Sequence, residues 1–153
     1  MRIRERVVIF AVAVAVFLLS PAVGFAERGV INEASVGELD GCAVVVVRFN
    51  FPVRYIRHFP KEQGSEVRIQ FEPLSINLAD LENRFEREEV RFSPDDRIPL
   101  SEIIFEGNIT GGPFLTLTFL RSLAFEVKQG ADYRSIVVTP FQDVERVECF
   151  PAD

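Results

Sequence analysis

Six basic side chains lie between residues 48 and 68 of a chain that is acidic overall. The whole chain has 17 Lys and Arg residues against 23 Asp and Glu residues, a net charge of −6. Because guanidinium and ammonium groups bind carboxylates and phosphates, this cluster predicts a binding surface. Its candidate residues are Arg48, Arg54, Arg57, Lys61 and Arg68, with His58 among them. The alternative interpretation is cross-strand pairing with acids, namely Glu62, Glu66 and Glu72.

His58 is the single histidine, and it decides whether the cluster could be catalytic. A nucleophile–base pair needs a histidine beside Ser or Cys, with an acid that orients the ring. The neighbouring Arg57 disfavours the imidazolium that such a mechanism forms. We therefore interpret His58 as a surface or turn residue. The sequence predicts no catalytic residue and a protein that is not an enzyme.

Metal and cofactor sites are not predicted either. Zinc needs three or four His, Cys or carboxylate ligands, which one histidine and two cysteines do not supply. The acids between residues 86 and 96 do not have the spacing of a calcium loop. Residues 107–112 are rich in glycine but lack the Lys-Ser or Lys-Thr of a phosphate loop. The negative net charge also argues against nucleic acid as a partner.

The first 26 residues have the pattern of a secretory signal peptide. A start with Arg2, Arg4 and Arg6 precedes an uncharged apolar run at residues 7–19, and small residues surround position 26. The alternative is an uncleaved membrane anchor, since residues 7–26 are long enough to span a bilayer. Cleavage predicts a periplasmic or secreted chain that is not embedded in the membrane. Residues 27–41 would then be a leader, or a short first strand near residues 30–36, before a domain at 42–153.

Cys42 and Cys149 are the only cysteines. In an oxidising compartment an even number of cysteines predicts disulfides, so we expect one bridge between them. Such a bridge would link the two ends of the domain. Two buried thiols, or bonds to other chains, are the alternatives.

Alternating hydrophobicity predicts strands from residue 43 onward. Apolar residues occupy the odd positions from Val45 to Tyr55, and Arg48, Asn50, Pro52 and Arg54 lie at even positions between them. A period of two indicates a strand with one buried face. Because Pro52 cannot donate to a strand ladder, it divides this stretch into strands at residues 43–51 and 53–57. Residues 67–71 alternate again after a turn at 60–65, which predicts a hairpin.

The second half of the chain has weaker signals. Residues 78–86 fit one face of a short helix, whereas residues 89–92 fit a strand equally well. Further strands are predicted at residues 103–106, 115–119, 125–127, 135–139 and 144–149. At most one short helix, near 78–86, is therefore expected.

Many short strands predict an all-β, two-sheet sandwich, and fifteen phenylalanines are enough to fill its core. Two stretches also share the order strand, kink, strand, glycine turn, strand. Five positions match in order and type: Phe49, Val53, Tyr55, Gly64 and Ile69 with Phe119, Leu123, Phe125, Gly130 and Ile136. This match predicts two similar halves packed face to face. The alternative is that any two β meanders have this rhythm.

Residues 49–55 (FNFPVRY), the glycine turn and residues 67–71 (VRIQF) resemble the AMIN-type module of bacterial envelopes. That module occurs at the N-termini of cell-wall amidases and type IV pilus secretins. Residues 115–119 and 125–138 are similar to a unit that precedes tetratricopeptide repeats in some proteobacterial envelope proteins. Over residues 41–140 the resemblance implies a β-sandwich that binds peptidoglycan or envelope proteins and has no activity of its own.

Two functional hypotheses follow. The first is an exported, non-catalytic binding module of the cell envelope that contacts peptidoglycan or envelope proteins through a sheet face or edge. The second is an accessory or assembly protein of a secretion or pilus system. It would accept a strand from a partner at an exposed edge near Pro52.

Overall fold

The structure, a computed structural model, describes residues 29–76, 87–143 and 148–152. Within these ranges the chain is all β, and no described helix could cross a bilayer. The strands, in chain order, are β1 (Ile31–Leu39), β2 (Cys42–Phe49), β3 (Val53–Phe59), β4 (Gln63–Pro73), β5 (Arg87–Glu89), β6 (Leu100–Glu106), β7 (Phe114–Gln129), β8 (Ser135–Asp143) and β9 (Glu148–Cys149). The signal peptide predicted at residues 1–26 and the helix predicted at 78–86 lie outside the described residues.

The strands of the described ranges belong to one antiparallel sheet with the order β1-β2-β8-β7-β4-β3. Residues 114–118 of β7 pair with β4 along one edge and with β6 along the other, whereas residues 124–129 pair with β8. Strand β5 pairs with β6, and β9 pairs with β8. Because different strands flank the two ends of β7, the sheet curls around its core as a half-barrel. The all-β class is confirmed, but the two separate sheets of a sandwich are not.

The first strand comprises most of the segment that the sequence assigned to a leader. Residues 31–39 pair with β2 along their whole length, so the sheet begins well before residue 42. Asp40 and Gly41 connect the two strands with positive φ angles of 53° and 78°. This is the type I′ geometry that an Asp-Gly pair favours between two hairpin strands. The alternative that the sequence left open, a short first strand, is therefore correct, and the strand is longer than predicted.

Replacing Gly41 by Ala is expected to destabilise this hairpin by about 1–2 kcal/mol, because an L side chain is disfavoured in the left-handed region. Urea unfolding measures the loss. Gly37→Ala on the same hairpin is the matched control. A Cβ at Gly37 would meet Val46 Cγ2 at an ordinary 3.5 Å, and its φ is not positive. Equal losses in the two variants would contradict the role given to the turn.

The alternation that predicted β2, β3 and β4 is present in their burial. Val45 and Val47 of β2 and Ile69 of β4 are fully buried, and Arg48 is exposed between buried neighbours. Strand β2 ends at Phe49 and β3 begins at Val53, so the predicted break around Pro52 is confirmed. The predicted hairpin is also confirmed, since β3 pairs with β4. The inward-facing side chains of β2, β3 and β4 therefore build one core with those of β7.

The two units that match in sequence belong to one sheet and do not pack face to face. One unit consists of β2, β3 and β4. The other consists of β7 and β8, and the two ends of β7 were predicted as separate strands. The last strand of each unit pairs with the first strand of the other. The pairing differs from the sequence match by two residues: Val47 pairs with Ile136, whereas its counterpart Leu117 pairs with Val67 and not with Ile69. The halves are therefore interlocked within one sheet.

Aromatic rings connect the strands across the core. The ring of Phe71 lies 4.7 Å from that of Phe49 and 6.1 Å from that of Phe105, measured between centroids. A second pair, Phe119 and Phe125, is stacked at 6.4 Å. Tilted and offset rings at these separations add to the free energy gained by burying their area. The first three rings thus join β2, β4 and β6, whereas Phe119 and Phe125 both belong to β7.

The C-terminal segment is attached to the first hairpin by a disulfide and by backbone hydrogen bonds. Cys42 and Cys149 form the predicted bridge, with Cα atoms 5.6 Å apart. The Ala43 amide donates to the Phe150 carbonyl at 2.8 Å, and the Ala152 amide donates to the Gly41 carbonyl at 3.2 Å. The described ends of the domain are therefore held together, as expected from the cysteine count.

Asp95 and Arg97 connect this C-terminal segment to the loop before β6. The Asp95 carboxylate accepts two hydrogen bonds from the Arg97 guanidinium, at 2.9 and 2.7 Å, and one from the Arg97 amide. Arg97 also donates to the Ala152 carbonyl at 2.6 Å. These hydrogen bonds, with the charge of Arg97, lower the pKa of Asp95 from 3.8 to about 2. The ionised carboxylate is thus favoured in the folded protein.

Because the folded pKa of Asp95 is depressed, its contribution to stability is present in full above pH 4. We expect it to be lost as the pH falls through about 2. Carboxyl ¹³C NMR should show Asp95 titrating near pH 2 in the wild type and close to 3.8 in Arg97→Gln. A wild-type midpoint near 3.8 would contradict this assignment.

Candidate functional site

The structure separates the five basic candidates into two parts of the sheet. Arg54 and Arg57 are on β3, Lys61 is in the turn after it, and Arg68 is on β4. Arg48 is on β2, where its nearest strands are β1 and β8. Four of the five candidates therefore lie on the β3–β4 hairpin, and Arg48 lies apart from them on β2.

Three of the arginines form ion pairs, but only Arg54 pairs with one of the acids that the cross-strand alternative named. Arg48 contacts Glu33 at 3.3 Å, and both side chains are about half exposed. Arg54 pairs with Glu72, which lies directly opposite on β4. Arg68 pairs with Glu106 of β6 at 3.4 Å and lies over the ring of Phe114 at 4.2 Å. Pairs that are largely or partly exposed contribute little to stability, and each acid offsets part of the charge that its arginine presents to another anion.

Arg57 and Lys61 differ from these arginines, because neither forms an ion pair with a described residue. Both lie near the ring of Phe59: the Arg57 Cζ atom is 5.4 Å and the Lys61 Nζ atom 5.8 Å from its centroid. Phe59 is 52% exposed, which is unusual for a phenylalanine in a strand of this sheet. We call these three residues, Arg57, Phe59 and Lys61, the Phe59 clamp.

A β-bulge explains why Phe59 and Arg57 face outward. The register of β3 against β4 shifts between Tyr55 and Arg57, so Ile56 is an extra residue without a partner. One extra residue reverses which side chains point inward. Before the bulge the odd positions, such as Val53, face the core. After it His58 is buried and its neighbours Arg57 and Phe59 are exposed.

His58 is therefore a buried residue, and its interpretation as a surface or turn histidine is wrong. It is 9% exposed, and its ring meets that of Phe125 edge-on at 6.0 Å. Its Nε2 lies 3.1 Å from the Lys61 carbonyl, which can only accept, so Nε2 carries the proton. Its Nδ1 then accepts from the Tyr55 hydroxyl at 2.7 Å.

This Tyr55–His58–Lys61 chain is a structural connection beneath the clamp. Burial raises the pKa of Tyr55, so its hydroxyl remains a donor. Because both nitrogens of His58 are occupied, the ring has no lone pair left for proton transfer to a substrate. The hydrogen bond to the Lys61 carbonyl ties the turn to the core. His58 thus connects the turn that carries Lys61 to the core.

The edge near Pro52, proposed from the sequence as a site for strand addition, is already paired. The Val53 amide donates to the Tyr133 carbonyl at 2.8 Å, and the Leu74 amide donates to the Pro52 carbonyl at 2.9 Å. The Tyr55 amide donates to the Gln129 side chain at 2.7 Å. Because these backbone groups have partners inside the chain, a partner strand could not pair with β3 there without displacing them.

Grooves of about 510 and 620 Å³ lie between β1 and residues 88–95, and β1 is at the other end of the strand order from β3. The side chain of Glu88 enters this region and accepts from the Val30 amide at 2.8 Å. Neither groove is lined by His58 or by the clamp. In the part of the chain that the structure describes, no three His, Cys, Asp or Glu side chains gather as metal ligands.

The comparisons with known proteins leave the function to be argued from this geometry. No protein-family model, curated protein or solved structure matches the chain. The likeness to AMIN-type modules accordingly remains a prediction. Of the five basic residues predicted as a binding surface, Arg57 and Lys61 form no ion pair with a described residue. The exposure of Phe59 could not be recognised from the sequence, because it depends on the bulge in β3.

Proposed function

We propose that this chain is an exported, non-catalytic binding module of the bacterial cell envelope, and that it contacts peptidoglycan through the Phe59 clamp. The clamp supports this proposal most directly. Two cations without an acidic partner among the described residues lie beside an exposed aromatic ring, on a chain whose net charge is negative. A pair of cations held in this way is available to an external anion.

Export is supported by the N-terminal pattern and by the bridge between Cys42 and Cys149. An intramolecular disulfide fits a protein that works outside the cytoplasm, since cytosolic thiols are kept reduced. The periplasm is the compartment that we propose, because peptidoglycan is accessible there. Cell fractionation that found the chain in the cytosol with free thiols would contradict this part of the proposal.

Pull-down with purified sacculi tests the binding. The wild type should be retained at low salt and released as salt increases, because screening weakens contacts between exposed charges. The double variant Arg57→Gln/Lys61→Gln should lose most of its retention. Arg48→Gln/Arg54→Gln is the matched control, since it removes the same charge from arginines that already have acidic partners. Equal retention of the two variants would show that the clamp is not the contact.

The second candidate, a partner bound by strand addition, is favoured at one strand only. β1 is the first strand of the sheet order, and among the described residues its outer edge has one bridge, between Ala34 and Phe92. Beyond that bridge the edge runs to Leu39, which is exposed. Cross-linking in intact envelopes from a reactive group placed at Glu38 should capture one dominant protein if this candidate is right. The sacculi would then retain neither the wild type nor the variants.

A further inference from the structure

The donor groups of Arg57 are arranged so that one part is fixed and another is left for a ligand. Its Nε–H donates to the Gln70 side chain at 2.7 Å. The Gln70 amide in turn donates to the Gly111 carbonyl, which holds it in place. The guanidinium plane is thus oriented, and the donors on its two Nη nitrogens remain. Parallel Nη donors in one plane match the two oxygens of a carboxylate.

The backbone of Lys61 is attached to the core by a hydrogen bond. His58 donates to its backbone carbonyl at 3.1 Å, so the turn that carries its side chain is attached to the core. The Lys61 ammonium and the Arg57 guanidinium each lie within 6 Å of the Phe59 centroid. The ring attracts both cations through its π face, so each is held within reach of the same exposed aromatic group.

The contacts of the Phe59 ring with two cations argue against a sugar as the ligand of the clamp. Stacking on a sugar requires an open aromatic face, and the ring of Phe59 is already engaged by two cations. The local charge argues against a multiply charged anion. Two cations stand in a chain of net charge −6, and Glu62 and Glu66 are exposed beside them. A single negative charge on a planar group fits this arrangement best.

We infer that the Phe59 clamp binds a free carboxylate, with a forked contact from Arg57 and a second contact from Lys61. This inference rests on the proposed function and makes it more specific. Within peptidoglycan the recognised group is then the carboxylate of the peptide stems and not the glycan chain. The glycan would contribute only by presenting the stems at high local concentration.

A soluble probe tests the chemistry without the cell wall. Acetyl-D-alanyl-D-alanine should shift the Arg57 Nε–H resonance of the oxidised full chain in NMR titrations, whereas its C-terminal amide should not. Arg57→Lys keeps the charge but loses the fork, and it should bind about tenfold more weakly. Arg48→Gln/Arg54→Gln should bind like the wild type. Equal shifts with the acid and the amide, or stronger binding of inorganic phosphate, would overturn the inference.

Sacculi with modified chemistry separate this inference from the proposed function. Conversion of the stem carboxylates to methylamides should abolish retention, and acetylation of the stem amines should preserve it. Retention that survives methylamidation would leave peptidoglycan binding in place but refute carboxylate recognition. Binding of the acid peptide, with no retention on native sacculi, would support the carboxylate site and refute peptidoglycan as its target.

Discussion

Reduction of the Cys42–Cys149 disulfide is expected to lower the free energy of unfolding by about 4–5 kcal/mol. The bridge joins residues separated by 107 positions, so it closes a loop that contains almost the whole sheet. In the unfolded chain this closure removes many conformations, and the entropy that is lost grows with the length of the loop. A loss of this size is a large fraction of the 5–15 kcal/mol that stabilises a typical domain.

Urea unfolding with and without a reductant measures this loss. The double variant Cys42→Ala/Cys149→Ala should unfold at the midpoint of the reduced wild type, and reductant should not change it. The folded ends keep other contacts after reduction, among them the hydrogen bond from Ala43 to Phe150. If reduction lowered the free energy by less than about 1 kcal/mol, loop closure would not be the main contribution of the bridge.

The period-two patterns predicted most of the strands correctly because burial on one face is a local property. Residues 43–51 and 67–71 alternate, and β2 and β4 alternate in burial as expected. The disulfide could also be predicted, since compartment and cysteine count were sufficient. The hairpin at Asp40–Gly41 was missed although its signal is present. The polar residues of β1 favour a leader, whereas the Asp-Gly pair that follows them is typical of a two-residue hairpin turn.

The path of the sheet could not be predicted from the same patterns. Alternation gives the faces of a strand but not its neighbours, so the pairing of β4 with β7 and of β8 with β2 was not accessible. The stretch around Leu120 was predicted as a break, and it lies within a continuous 16-residue strand. Long-range pairing of this kind depends on the curl of the whole sheet.

The candidate site was predicted only as a set of basic residues, for a related reason. Which arginines have acidic partners depends on cross-strand register. The pairing of Arg54 with Glu72 was anticipated, whereas that of Arg68 with Glu106 of β6 was not. The exposure of Phe59 and the burial of His58 both result from one unpaired residue, Ile56. A bulge of one residue has no reliable signature in hydrophobicity, so the clamp became visible only in the structure.

Replacing Phe71 by Ala is expected to cost about 3–5 kcal/mol, the range for a large aromatic removed from a packed core. The side chain is 1% exposed and lies between the rings of Phe49 and Phe105. Its removal would leave a cavity and would break the row of rings that joins β2, β4 and β6. Phe71→Leu refills part of the volume, so it should recover a part of the loss. Urea unfolding, with the slope checked for two-state behaviour, measures all three proteins.

Phe59→Ala is the matched control, because it removes the same ring from the opposite face of the same hairpin. Phe59 is about half exposed and packs mainly against two cations, so its loss should change stability by about 0.5 kcal/mol or less. The same substitution should weaken binding of acetyl-D-alanyl-D-alanine, since Arg57 and Lys61 lose the aromatic ring that each of them contacts. Phe71→Leu should bind the probe like the wild type wherever it is folded. If both phenylalanines affected stability equally, the inside and outside faces assigned to β3 and β4 would be wrong, and with them the clamp.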